Sequence, residues 1–293
     1  MYERTKAAKV KFFLLFGAPA LAVFIAVVLI PFFYGLYLTF TNWDGVSAAH
    51  DFVFFDNFVK AFTDVGFWNS LWLTVKYVLF SVLLINLVAF LLAYLLTSGI
   101  KGQNFFRSAF FTPNLIGGII LGFIWNFVFQ RAFVSIGKTL GWSLFAESWL
   151  SDPAKAFWAM VIVTVWQYSG YMMIIYVAGF MSVPKDLIEA ASIDGCTGFQ
   201  TTRHVVMPLM AGSFVICLFL SLQRCFMVYD VNLSLTDGGP YGATRMAAMH
   251  VYQKAFISRE YGMGQAEALL LFAVVLIIVL AQIYLGKRRE VDA

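Results

Sequence analysis

Apolar residues run through this chain in long blocks, not in alternation. Asp, Glu, Lys and Arg are absent from 12–43, 77–100, 108–130, 156–184, 205–223 and 268–286. A helix needs about 20 apolar residues to cross ~30 Å of hydrocarbon, so each block predicts one membrane span. Trimmed to helix length, they fall near 12–40, 106–130, 156–181, 207–229 and 264–286, with the second starting near Phe67. Trp68 and Trp72 suit an interfacial anchor there, and Lys76 can extend its ammonium to the same interface. Pro19 and Pro31 fall inside the first span, where they predict kinks and not breaks. That block is too long for a cleaved signal and lacks a small-residue cleavage site, so it predicts a retained helix.

The charges sort by side. Arg4, Lys6, Lys9, Lys11, Lys101, Arg107, Lys185, Arg203, Lys287, Arg288 and Arg289 fall on one side of the six spans. Lys60, Arg131, Lys138, Lys155, Arg245, Lys254 and Arg259 fall on the other, spread over longer loops. The positive-inside rule predicts that both termini are cytoplasmic. The carboxylates agree, since Asp44, Asp51, Asp56, Asp64, Glu147, Asp152, Asp230, Asp237 and Glu260 all fall outside.

Composition closes off other classes. Charged residues make up 12% of the 293, against roughly 25% in a soluble domain, so a lipid bilayer is the solvent this surface expects. A net charge of +4 is too small to predict a nucleic-acid partner. Gly137-Lys138-Thr139 has Ala132 where a phosphate loop needs its first glycine, so the chain has no nucleotide site. Cys196, Cys217 and Cys225 and His50, His204 and His250 show no metal-ligand spacing. No hydrolase motif is present, so energy for uphill transport would have to come from another subunit.

The connection after the fourth span is the most informative. It reads Pro184-Lys185-Asp186-Leu187-Ile188-Glu189-Ala190-Ala191-Ser192-Ile193-Asp194-Gly195 and continues to Val205-Val206-Met207-Pro208. Pro184 suits a helix first turn. Leu187, Ile188, Ala191 and Ser192 then share one face of a short amphipathic helix, and Gly195 can supply a left-handed turn. Periodicity alone fits an ordinary connection lying on the membrane equally well.

Glu189-Ala190-Ala191, Gly195 and Val205-x-Met207-Pro208 at this spacing resemble the EAA loop of ABC-importer permeases, with Val205 and Met207 where that family has Ile and Leu. A second segment, Leu235-Thr236-Asp237-Gly238-Gly239-Pro240 with Thr244 after it, resembles an external loop of the maltose-type carbohydrate permeases, although Gly-Gly-Pro is turn chemistry anywhere. The likeness runs from about Trp68 to the C-terminus and is strongest to the F-type partner of the heterodimeric sugar permeases. It implies an all-α membrane protein of six transmembrane helices, with the type I ABC importer permease fold. Residues 1–66 would form the tail, first span and external loop; 67–286 the permease core, with the EAA loop at 182–208; and 287–293 the cytoplasmic tail. Glu189, Ala190, Ala191, Asp194 and Gly195 would dock on an ATPase as a coupling helix. The implied partners are a related G-type permease, two ATP-binding cassette ATPases and an external solute-binding protein. ATP and Mg²⁺ would belong to the ATPases, the chain itself would need no cofactor and catalyse no reaction, and it would sit in the bacterial cytoplasmic (inner) membrane.

Polar residues inside spans point to bundle contacts or to a pathway. Gln167, Tyr168 and Tyr171 on the fourth span lie within ~100° of helix surface. Ser221, Arg224, Cys225 and Val228 make one stripe on the fifth, and Asn114 lies on the third. By the resemblance, these eight line a carbohydrate pathway, where rings stack on sugar faces and amides bond hydroxyls. Gly118 and Gly122 fit close helix packing. Arg224 has two readings: an ion pair with Glu267 at similar depth, or a contact to an acidic sugar. Three rival functions also follow: an ABC permease for glycerol phosphate or another non-sugar solute, an ion-coupled secondary transporter, which lacks buried mid-span acids to support it, and a structural membrane subunit with no pathway, which predicts no polar stripe on spans four and five.

Overall fold

Proline shapes three turns, in two of the helices, in the same way. The computed structural model of the protein describes residues 10–47 and 50–287. Helix α1 (Val10–Leu38) contains two π turns, Phe13–Gly17 and Ile25–Leu29, each ending two residues before Pro19 or Pro31. A third π turn, Thr202–Val206, ends two residues before Pro208. A proline ring clashes with the carbonyl four residues back. In each case that carbonyl lies in the middle of the wide turn, which opens the backbone where the clash would fall. The kinks expected in α1 therefore take the form of widened turns in a continuous helix.

The chain falls into two compact units, one of residues up to Asp64 with Val251–Leu270, the other of Val65–His250 with the residues from Leu271 onward. In the first unit, α1 runs into a loop closed by an antiparallel bridge between Thr41 and Phe52 and then into α2 (Asp56–Thr63). Asn57 pins that loop by donating to the carbonyls of Thr39 and Thr41, both at 2.8 Å. Lys254 meets Asp64 at 2.9 Å, with both side chains mostly buried. Burial pushes the Lys254 ammonium down, but the Asp64 hydrogen bond and the charges of Asp64, Glu260 and Glu267 outweigh it and hold the pKa above the usual lysine value. A raised folded-state pKa stabilises fully below the ordinary lysine value and is lost as pH rises through the folded value. Thermal unfolding of the purified protein should therefore show this pair's contribution unchanged up to about pH 10 and declining above it. Asp64→Asn should remove about 1–3 kcal/mol at neutral pH.

The second unit is built around α3 (Val65–Thr97) and α6 (Pro153–Ser182). Asp152 caps α6 by accepting from the Lys155 amide at 2.8 Å, with Pro153 at its first position. Tyr77, Ile85, Ala89 and Ala93 of α3 pack in one core with Ala159, Met160, Val163, Met172 and Tyr176 of α6. Small residues let these backbones approach without a hydrophobic drive from lipid. The Tyr77 and Thr164 hydroxyls meet at 2.5 Å inside that contact.

Two expected spans differ in shape. The third is not continuous over 106–130: α4 (Gln103–Phe111) gives way to a 3₁₀ turn, Thr112–Leu115, and α5 starts afresh at Gly118 and runs to Leu140. Extended backbone at Ile116 and Gly117 separates the two pieces. The fifth does not run over 207–229. Helix α8 (Gly198–Leu209) and α9 (Ala211–Phe226) meet at Met210 with a bend of 73°, because Met210 leaves the helical region at φ −95°, ψ 18°. At ~1.5 Å per residue, the 16-residue α9 spans about 24 Å, and the short α10 (Asp230–Leu235) continues beyond it. The short α11 (Ala247–Tyr252) follows in the chain, and the last long helix is α12 (Tyr261–Lys287). Among the described residues, five helices are long and apolar enough to cross a membrane, and the bent α8–α9 pair counts as a sixth. Arg4, Lys6, Lys9, Arg288 and Arg289 of the sidedness count lie outside the described residues.

Candidate functional site

The break between α4 and α5 puts an amide beside a cation. Asn114 in the 3₁₀ turn accepts a hydrogen bond from Arg224 Nη1 at 3.4 Å. The Arg224 guanidinium lies 4.8 Å from the ring centre of Tyr168 and 5.2 Å from that of Tyr171, one helical turn apart on α6. Arg224 falls in the last turn of α9, so the partial negative charge of that helix end also favours it. Two aromatic faces and a helix terminus thus hold the cation in place without neutralising it. Among the described residues of its own unit Arg224 makes no ion pair. Glu267 lies in the other unit, where its charge acts on Lys254.

The other residues expected in the pathway stand behind this group. Gln167 is buried and donates to the Ile116 carbonyl at 3.2 Å, which fixes the broken backbone that carries Asn114. Ser221 is fully buried, donates to the Cys217 carbonyl and accepts from Asn86 at 3.0 Å. Tyr176 in turn donates to Asn86 Oδ1 at 2.8 Å, so one amide ties α3, α6 and α9 together. Cys225 and Val228 are buried in the apolar core. The structure therefore gathers Asn114, Tyr168, Tyr171 and Arg224 around one point, and packs Gln167, Ser221, Cys225 and Val228 around it. Sequence reasoning passed over Asn86, although a lone amide in an otherwise apolar helix is itself a signal. Gly118 and Gly122 face Asp230 and Ser234 of α10, and a Cβ at Gly118 would sit 2.7 Å from that of Asp230.

The 182–208 connection forms a helix, a turn and a second helix. Helix α7 (Lys185–Ile193) begins after Pro184, which occupies the cap position and not the first turn. Gly195 takes the left-handed conformation at φ +80°, and the Cys196 amide donates back to the Ala191 carbonyl at 3.0 Å. That closes the helix end in the manner glycine favours. Thr197 and Gln200 then form a reciprocal cap for α8. Ala191 is buried, whereas Glu189, Ala190, Asp194 and Gly195 are exposed. Ile193 and Phe199 are exposed as well, at 86% and 72%, an apolar surface on a polar connection.

The 235–246 loop is pinned from beneath. Thr244 is fully buried, with its hydroxyl 2.6 Å from the Gly239 carbonyl oxygen and 2.8 Å from Thr236 Oγ1. Asn232 donates to the Thr244 carbonyl at 2.8 Å, and Asn126 donates to that of Leu235 at 2.7 Å. Tyr241 at the tip is fully exposed. Thr244→Val should leave the Gly239 carbonyl without its partner, cost about 1–3 kcal/mol locally, and make the loop several-fold easier to cleave by added protease.

Broken membrane helices around a polar cluster, with an exposed helical connection, are the features of a transport permease. The chain belongs to the family described as "Binding-protein-dependent transport system inner membrane component", whose model matches residues 85–291. It is 45% identical over 294 residues to the probable starch degradation products transport system permease protein AmyD of Thermoanaerobacterium thermosulfurigenes, covering 98% of this chain and 99% of that one. It is 32% identical to the multiple sugar-binding transport system permease protein MsmF of Streptococcus mutans, over 89% and 90% of the two chains. Its fold matches a chain of a bacterial ABC transporter that imports the acidic polysaccharide alginate, with TM-score 0.81 at 19% identity over 96% and 97% of the chains. The protein is therefore an ABC importer permease, an inner-membrane transport component that leaves ATP hydrolysis to separate subunits.

Proposed function

We propose that this permease passes a carbohydrate, handed over by an external binding protein, across the bacterial cytoplasmic membrane with both termini inside. Asn114, Tyr168, Tyr171 and Arg224 form the contact point. Gln167, Ser221, Cys225 and Val228 fix the helices that present it. The observation that carries this reading is a cation held between tyrosine rings at a helix break, in a chain whose relatives bear sugar-transport names. Tyrosine faces suit sugar rings, and the amide suits hydroxyls. The Glu189–Gly195 segment, exposed except at Ala191 and carrying Ile193, with Phe199 nearby in sequence, docks on one of two ATPases that bind ATP and Mg²⁺, and a second, related permease completes the pathway. Closure of the ATPases then moves α7 as a rigid piece and opens the membrane helices alternately to each side.

The test is ATPase activity of the reconstituted complex, with and without its binding protein, across a panel of neutral and acidic oligosaccharides. Stimulation by one of them supports the reading, and a complex with no associated ATPase sinks it. Orientation has its own readout, because Cys196 is the exposed cysteine while Cys217 and Cys225 are buried. An impermeant maleimide should label Cys196 in inside-out vesicles only.

A further inference from the structure

A groove of about 910 Å³ lies between α9 and the end of α12. Phe214, Val215 and Leu218 form one wall, and Ile278, Ala281 and Leu285 form the other. At ~1.5 Å per residue, the lining from Ile278 to Gly286 covers about 12 Å, less than half of a ~30 Å hydrocarbon core. The groove therefore fits within one leaflet. Its end is set by chemistry, because Gly286 is the last apolar residue of α12 and Lys287-Arg288-Arg289 follow it in sequence. Gly286 also approaches α9 closely, since a Cβ there would sit 2.6 Å from Val215.

Two polar groups line this otherwise apolar slot. Arg203 stands at the mouth, exposed and without a hydrogen bond or ion pair among the described residues. Gln282 donates to the Val215 carbonyl at 3.1 Å, but its buried Oε1 has no partner. A free cation over an apolar slot, with three basic residues following in the chain, is complementary to one kind of molecule: an anionic head on a hydrocarbon tail. Basic pockets between helices bind such headgroups. We propose that the groove is a binding site for an anionic phospholipid of the leaflet beside the 182–208 connection. One acyl chain lies against Leu218 and Ala281, and the phosphate meets Arg203.

The test uses the whole importer complex, purified in detergent and exposed to phosphatidylglycerol or phosphatidylcholine, with retained lipid counted by native mass spectrometry. The wild-type complex should hold phosphatidylglycerol in preference. Arg203→Gln should weaken that retention about fivefold, the effect of one basic residue at an anionic surface, while Arg203→Lys keeps most of it. Ala281→Trp should fill the slot and abolish retention, which keeps the test open if Arg203→Gln fails to assemble. Equal retention of both lipids, or of phosphatidylglycerol by the Ala281→Trp complex, overturns the proposal. So does a disulfide formed between Ala281→Cys and the second permease, because protein and not lipid would then cover the groove.

Discussion

Replacing Gly170 with alanine should lower the amount of folded permease in the membrane several-fold, and leucine there should abolish it. Gly170 lies at the middle of α6, where a Cβ would collide with the carbonyl of Phe110 at the end of α4. The obstacle is backbone, so no side-chain rotation relieves it. Overpacking of this kind costs about 1–3 kcal/mol for small insertions and more where the backbone must move. The same approach sets the position of the break that follows, because Gln167, one turn earlier on α6, donates to the Ile116 carbonyl. Surviving Gly170→Ala protein should therefore also transport poorly, with Asn114 displaced from Arg224. Gly117→Ala is the control. Gly117 has φ −59° and ψ 141° and open space around it, so alanine fits and should leave membrane levels unchanged. Immunoblots of membranes and transport per assembled complex separate the two effects. Equal levels for Gly170→Leu and wild type would show that α4 and α6 do not approach as described.

Much of this architecture was legible because lipid leaves little choice. A charge-free block of 20 or more residues must satisfy its backbone internally, and each block does contain helix. The coupling-loop turn was legible for a similar reason, since Gly195 sits where the helix ends and the backbone takes φ +80°. What stayed hidden depends on contacts distant in sequence. Nothing near Gly170 announces Phe110, sixty residues away. The charge-free block over 108–130 gave no sign that the helix stops at Phe111 and that α5 restarts only at Gly118. Nor does a glycine or proline mark the end of α9: the helix stops where Met227 leaves the helical region at φ −96°, ψ 20°. That unmarked stop turns Arg224 from a mid-helix charge seeking a carboxylate into a last-turn cation favoured by the helix end.

Arg224→Gln should therefore spare assembly and cost transport of an acidic sugar. The ion-pair reading needs Glu267 to neutralise the arginine, and removing one partner of a buried pair costs about 3–5 kcal/mol of stability. The geometry within the second unit gives Arg224 other support, namely Tyr168, Tyr171, Asn114 and the α9 terminus, none of which removes its charge. A carboxylate or phosphate arriving on the substrate would do so. A hydrogen bond to a charged group contributes about 1.5–3 kcal/mol, so glutamine should reduce kcat/KM for an acidic oligosaccharide by roughly 10- to 100-fold. Transport of a neutral one should change little, because the tyrosines and Asn114 remain. Lysine should restore only part of the loss, since a compact ammonium cannot stack on two rings or bond an anion in a planar fork. Loss of the assembled complex in Arg224→Gln would return the residue to a structural role. Equal losses for neutral and acidic sugars would place it in the pathway without a part in reading charge.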